Sequence, residues 1–137
     1  MPPAAGQTLD RTAIRDSVRA LLARQQAAWN RGNLEAFMAG YAQTDTLRFA
    51  SGGTVRTGWQ TTLNRYRRSY PDTAAMGTLS FGSLDLTILS PHSVLAFGRW
   101  QLQRDKDAPG GLFTLLLHRP EPNAPWRIVH DHTSSAR

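Results

Sequence analysis

The sequence predicts an α+β fold in which three N-terminal helices pack on a curved antiparallel sheet. Apolar residues recur every three or four positions up to Tyr70 and every second position after Pro71, a change from a helical to a strand period. Four long strand candidates then follow, joined by short segments rich in turn residues, as in an antiparallel meander. The 137 residues match the size of one domain, predicted to span 1–137.

The helices are expected in the first half of the chain. The first candidate covers about 9–31 and presents one apolar face, formed by Ile14, Val18, Leu21, Leu22 and Trp29. Asn33 is a good N-cap for a short second helix. A third helix is predicted over about 58–70, where Pro71 ends it. Residues 1–8 are expected to be mobile.

Six strands are expected to form the sheet. A short hairpin is predicted between the second and third helices, and the four longer strands at 78–89, 93–104, 112–119 and 126–133. In the first long strand the apolar residues change phase near Gly82 and Ser83, which predicts a β-bulge. Because a bulge bends a sheet, the helices are expected to cover a concave face.

Composition excludes several classes of function. The chain has no cysteine, so disulfides, thiolate catalysis and cysteine-bound zinc are excluded. The net charge of +6 comes with no nucleic-acid-binding motif, and we expect no nucleic-acid partner. The N-terminal residues lack signal-peptide features and no long apolar run occurs, so we expect a cytoplasmic protein with no membrane contact.

The last strand candidate carries ionisable groups where a core strand would carry aliphatic ones. His130 and His132 share one face and Asp131 takes the other. With His118 as the only available third ligand, the case for a metal site is weak, and no metal is predicted. Asp131 and Arg99 could form either a self-satisfied ion pair or an anion-binding site positioned by the carboxylate.

Two segments carry a resemblance to a known family. Ala28-Trp29-Asn30-Arg31-Gly32-Asn33-Leu34-Glu35-Ala36-Phe37 is similar to the helical corner of the nuclear transport factor 2-like superfamily. Trp126-Arg127-Ile128-Val129-His130-Asp131-His132-Thr133-Ser134 resembles the closing strand of one member, the calcium/calmodulin-dependent kinase II association domain. The superfamily also includes ketosteroid isomerase and SnoaL-like cyclases. The resemblance implies a cone-shaped fold and a homodimer, with Trp126 and Ile128 on the convex side.

The resemblance also implies which residues face the inside of the cone. It places Gln25 where ketosteroid isomerases have an oxyanion-binding Tyr, and Phe49 where they have the general-base Asp. A phenyl ring cannot accept a proton, so steroid isomerisation by that route is not expected. The association-domain strand implies that Phe97, Arg99 and Gln101 point inward, as Asp131 and Thr133 would on the last strand.

These expectations combine into a hypothesis of a small-molecule pocket. The predicted lining is Trp29, Tyr41, Phe49, Trp59, Phe97, Gln101 and Thr133. If the protein is an enzyme, isomerisation or dehydration of an apolar carbonyl compound is expected, without a cofactor. Asp131 or His132 would be the base, and Arg99 or Tyr66 would stabilise the enolate-like charge. The alternative is a non-catalytic ligand-binding or oligomerisation module like the kinase domain.

Overall fold

A computed structural model describes residues 9–136, so the predicted mobility of residues 1–8 concerns residues outside the described range. The helices are α1 (Arg11–Asn30), α2 (Leu34–Met38), α3 (Trp59–Ser69) and α4 (Thr73–Met76). The strands are β1 (Arg48–Ser51), β2 (Thr54–Thr57), β3 (Thr78–Ser90), β4 (Ser93–Gln103), β5 (Gly110–His118) and β6 (Arg127–Thr133). The predicted α+β fold is confirmed.

Side-chain caps start the helices where the sequence indicated. Asn33 Oδ1 accepts a hydrogen bond from the backbone N–H of Ala36 at 3.0 Å, which confirms the N-cap of α2. The short α4 was not predicted, because four residues are too few to show a helical period. Its signals were Asp72, whose Oδ1 caps Ala75 N–H at 2.9 Å, and Gly77, which ends the helix at φ 63°.

The six strands form one sheet in the order β2-β1-β6-β5-β4-β3. The meander from β3 to β6 is antiparallel, as predicted. β1 pairs with β6 in parallel, so the sheet is mixed rather than wholly antiparallel. The sequence did not indicate this pairing, because the two strands lie about 80 residues apart in the chain and a strand's own pattern does not identify its distant neighbour.

Two bulges decide which side chains reach the inner face. The predicted bulge of β3 is confirmed, since the register shifts between Gly82 and Asp85 and Ser83 has φ 52°. A second bulge inserts Val129 into β6 opposite the neighbouring Leu116 and Leu117. It changes the alternation of β6 and was not predicted from the sequence.

The second bulge explains why the predicted orientation of the start of β6 is wrong. Ile128 and Trp126 were expected on the convex side, but they are buried in the core with 0% and 4% exposure. Because Val129 is the extra residue, Ile128 faces inward together with Asp131, three positions later. The last strand therefore combines a packed apolar end with a polar end.

The first helix lies across the inner face and is tied to edge strand β3. Asn30 accepts from the backbone N–H of Leu79 at 2.7 Å and donates to its carbonyl at 3.1 Å. Gln26 Oε1 accepts from the N–H of Phe81 at 3.0 Å. These bonds satisfy part of an exposed strand edge and hold α1 above the sheet. None of the helices within residues 9–136 is long and apolar enough to cross a membrane.

Candidate functional site

A cavity of about 170 Å³ lies between α1, α3 and the inner face of the sheet. Aromatic side chains form about half of its wall, namely Trp29, Phe37, Tyr41, Phe49, Tyr66, Tyr70, Phe81, Trp100 and Phe113. Several of these rings meet edge to face, as in the Trp29–Phe37 pair with centroids 5.1 Å apart. The wall also contains polar groups from Gln25, Arg65 and Asp131. A cavity that combines aromatic walls with several polar groups is typical of a small-molecule site.

Asp131 is the ionisable group buried in this cavity. β6 holds it between its register partners Phe49 on β1 and Leu115 on β5, and its exposure is 2%. Tyr41 OH donates to Asp131 Oδ2 at 2.6 Å, and Thr133 Oγ1 donates to Oδ1 at 2.5 Å. Burial raises the pKa of Asp131 to about 6, although both hydrogen bonds act to lower it. The carboxyl group therefore changes charge close to neutral pH.

Two tyrosines lie next to this carboxyl group. Burial, followed by the negative charge of Asp131, raises the pKa of both Tyr41 and Tyr66 well above the usual value. Both hydroxyls therefore stay protonated and can donate hydrogen bonds. Tyr41 donates its proton to Asp131, and the Tyr41 and Tyr66 hydroxyls also lie within hydrogen-bonding reach of each other. Tyr66 also lines the cavity, so its hydroxyl is within reach of a bound molecule.

The tyrosines are held in place by the packing of α3 against the opening helices. The Tyr66 ring lies 5.4 Å from the Phe37 ring and 5.7 Å from the Phe49 ring, centroid to centroid. Trp29 anchors this cluster by donating its indole N–H to the Met76 carbonyl at 3.0 Å. Such interlocked rings keep the donor in a defined position.

Some of the predicted site residues lie around the cavity and others do not. Trp29, Tyr41, Phe49, Tyr66, Asp131 and Thr133 lie around the cavity. Trp59 does not line it, because its indole N–H is turned to the Met38 carbonyl at 2.8 Å. His132 is exposed on the outer face, as its alternation with Asp131 requires. Gln25, at 3% exposure, lines the cavity as its alignment with an oxyanion-binding position implied.

The predicted orientation of β4 is wrong. Phe97, Arg99 and Gln101 are exposed on the outer face, whereas Trp100 and Leu102 line the cavity. The expectation came from the resemblance to the association-domain strand. The alternation in this chain favours the other phase, since buried Val94, Ala96 and Leu102 share one parity. The predicted Arg99–Asp131 contact is consequently not formed.

His130 lies on the outer face of the sheet, next to Arg48. Arg48 donates through Nε to His130 Nδ1 at 3.2 Å, and burial lowers the pKa of His130, with the positive charge of Arg48 as a second cause. No three His, Asp or Glu side chains come together as a metal site between residues 9 and 136. Sequence reasoning did not select Arg65, Phe37, Phe81 or Trp100 as lining residues, although their helical or alternating spacing was visible.

Comparisons with known proteins identify solved structures that share this fold. No protein-family model matches the chain, and no curated protein sequence matches it. A structure of an NTF-2-like protein of unknown function from Shewanella oneidensis MR-1 is 41% identical, covers 88% of this chain and 98% of its own, and superposes with a TM-score of 0.83.

Two further structures share the fold at lower identity. A ketosteroid isomerase-like protein from Erwinia carotovora atroseptica SCRI1043 is 14% identical with a TM-score of 0.69, covering 89% of this chain and 95% of its own. LinA is also 14% identical with a TM-score of 0.73, covering 93% and 89%. At this identity the similarity concerns the fold alone.

Proposed function

Since the chain belongs to the nuclear transport factor 2-like superfamily, we propose that it binds a small apolar carbonyl compound and catalyses proton transfer on it without a cofactor. Isomerisation and dehydration are the reactions that the cavity suits. The fold by itself does not decide between these and non-catalytic roles, because one fold hosts many functions. The proposal therefore depends on the cavity of this chain.

The observation that carries the proposal is a buried carboxyl group whose pKa is raised to about 6 inside an aromatic cavity. A general base works best when its pKa lies near the working pH. At neutral pH Asp131 is mostly ionised and more basic than an ordinary carboxylate. A purely structural Asp would also be hydrogen-bonded, but it would not need to line an aromatic cavity together with the hydroxyl of Tyr66.

The proposed reaction starts with removal of a proton from the carbon next to the substrate carbonyl. Asp131 takes this proton, and the C–H electron pair moves into an enolate whose oxygen accepts a hydrogen bond from Tyr66. In an isomerisation Asp131 returns the proton to another carbon. In a dehydration a β-hydroxyl leaves and takes the proton as water. Tyr41 and Thr133 hold the carboxyl group by their hydrogen bonds throughout.

Hydrogen–deuterium exchange in D₂O tests the first step directly. Cyclohexanone and acetophenone are incubated with the protein, and loss of the signal of the hydrogens next to the carbonyl is followed by NMR. The wild type is expected to accelerate exchange, and Asp131→Asn to slow it by about 10²-fold or more. Arg99→Gln is the control, because Arg99 lies on the outer face.

The outcomes separate catalysis from simple binding. Wild-type exchange no faster than in buffer, or unchanged exchange in Asp131→Asn, would refute the catalytic proposal. Saturable binding of these ketones without exchange would instead support the non-catalytic ligand-binding role that remains the alternative. We also propose a cytoplasmic location, as expected from the sequence.

We further propose that the protein forms a homodimer through the outer face of the sheet. Phe97 and Leu112, on neighbouring strands, are 42% and 36% exposed, and the exposed Arg99 and His132 lie on the same face. An apolar centre with a polar rim is typical of interfaces, and a second copy presents the same patch in a two-fold contact. Light scattering is expected to give twice the chain mass, and Phe97→Asp the single mass. A monomeric wild type at micromolar concentration would overturn the proposal.

A further inference from the structure

Arg65 is the cationic side chain that lines the cavity. It lies on α3 directly before Tyr66 and is half-buried. The rim beside it includes the exposed Ser69 and Ser135, so this part of the cavity opens to solvent. Within residues 9–136, ion pairs connect only Arg67 with Glu35 and Arg104 with Asp107, and the Arg65 guanidinium makes no hydrogen bond. A half-buried guanidinium without a partner is suited to an anion.

A second arginine, Arg56, adds positive charge near Arg65, although it does not itself line the cavity. Arg56 on β2 is the register partner of Phe49, so the two side chains lie on the same side of the sheet. Burial lowers the pKa of Arg56, and the positive charges of Arg65 and Arg68 lower it further. A negative group bound at Arg65 would also relieve this repulsion.

The cavity size limits the rest of the ligand. Its volume of about 170 Å³ is close to the roughly 150 Å³ of an apolar cavity that holds one benzene molecule. The aromatic walls suit a flat or cyclic apolar body, and a charged group fits only at the solvent-exposed rim. Deep in the cavity, the carboxylate of Asp131 would repel an anion.

We propose that the ligand is a one-ring oxo acid, with its ring in the aromatic cavity, its ketone near Asp131 and Tyr66, and its carboxylate on Arg65 at the rim. This inference rests on the proposed function, because it assigns the substrate class of the same cavity. It replaces the outward-facing Arg99 with Arg65 as the guanidinium that binds the carboxylate. Arg56 adds positive charge beside it.

Binding of benzoate and of benzamide tests this assignment. The two probes have nearly the same size and differ in charge at neutral pH. By calorimetry at pH 7 and low salt, the wild type is expected to bind benzoate about 10-fold more tightly than benzamide, with the preference shrinking as salt is added. Arg65→Gln should abolish the preference, and Arg65→Lys should keep part of it.

The matched control is Arg67→Gln, which removes the same charge from the same helix. Arg67 is paired with Glu35 and does not line the cavity, so the preference for benzoate should persist. Equal wild-type affinities for the two probes, a preference that survives in Arg65→Gln, or binding of neither probe at millimolar concentration would each overturn the inference.

The binding test is independent of the catalytic test. Exchange of cyclohexanone needs Asp131 but no carboxylate on the ligand, so it can succeed while the benzoate preference fails. Conversely, a preference for benzoate that depends on Arg65 can be found in a protein that exchanges no ketone. In that case the proton-transfer proposal fails and the anion at the rim remains.

Discussion

Asp131→Asn should change how the stability of the protein depends on pH. Asn is nearly the same size as Asp and can accept the hydrogen bond of Tyr41 through Oδ1 while donating to Thr133. The substitution therefore keeps the contacts and removes the proton that titrates. Any difference in pH dependence between the two proteins reports the ionisation of this one carboxyl group.

The sign follows from the direction of the pKa shift. The pKa of Asp131 rises from 3.8 to about 6 on folding, so between these values the folded state binds more proton than the unfolded state. Stability contributed by the protonated carboxyl is fully present below the unfolded pKa and is lost as pH rises through about 6. A shift of about two units, at about 1.4 kcal/mol per unit, amounts to about 3 kcal/mol.

Thermal and urea unfolding of both proteins at matched concentration from pH 4 to pH 8 measures this effect. From pH 4 to pH 8, the wild type should lose about 2 kcal/mol relative to Asp131→Asn, because the unfolded carboxyl is already partly ionised at pH 4. For a chain of this length the loss corresponds to about 7 °C in Tm. All other titrating groups are common to both proteins and cancel in the difference.

A stability difference between wild type and Asp131→Asn that stays constant from pH 4 to pH 8 would refute the reasoning. So would a difference that changes in the opposite direction, since this would mean that hydrogen bonding outweighs burial and depresses the pKa. An NMR titration of the Asp131 carboxyl carbon gives the same quantity without unfolding. The carbon signal should shift with a midpoint near pH 6.

Two further substitutions test the contacts around the cavity. Tyr41→Phe removes one of the two donors to Asp131, so NMR titration should show that the pKa of Asp131 rises further. The protein should also lose about 1–3 kcal/mol of unfolding free energy at pH 7. An unchanged or lower pKa of Asp131 would contradict this expectation. Gly98→Ala places a Cβ 2.8 Å from Phe113 Cζ, so it should lower the free energy of unfolding in urea by about 1–3 kcal/mol. Gly82→Ala is the control, because no atom lies within 4 Å of the added Cβ, and it should lower this free energy much less. Equal effects at the two glycines would disprove the packing argument.

Local sequence features predicted most of the fold because they act over a few residues. The N-cap at Asn33 and the bulge near Gly82 depend on side-chain and backbone chemistry within one turn or one strand, and both were read correctly. Alternation placed Asp131 on the face opposite the flanking histidines, whereas its inward orientation was implied by the resemblance.

The orientation of β4 could also have been read from this chain alone. Arg99 was placed inward by the resemblance to a related strand, although the apolar alternation that ends in Trp100 and Leu102 favours the opposite phase. For a half-buried strand, the chain's own apolar pattern is the better guide, because a shift by one residue moves every side chain to the other face.

The sequence by itself determined the α+β class, the order of the elements and the polar character of the last strand, since periodicity and turn chemistry are local. Tertiary structure alone decided that β1 joins β6 in parallel, that Val129 bulges so that Ile128 and Asp131 face the same side, and that Arg65 lies at the cavity rim. The raised pKa of Asp131 belongs to this second group, because it arises from burial by side chains that are distant along the chain.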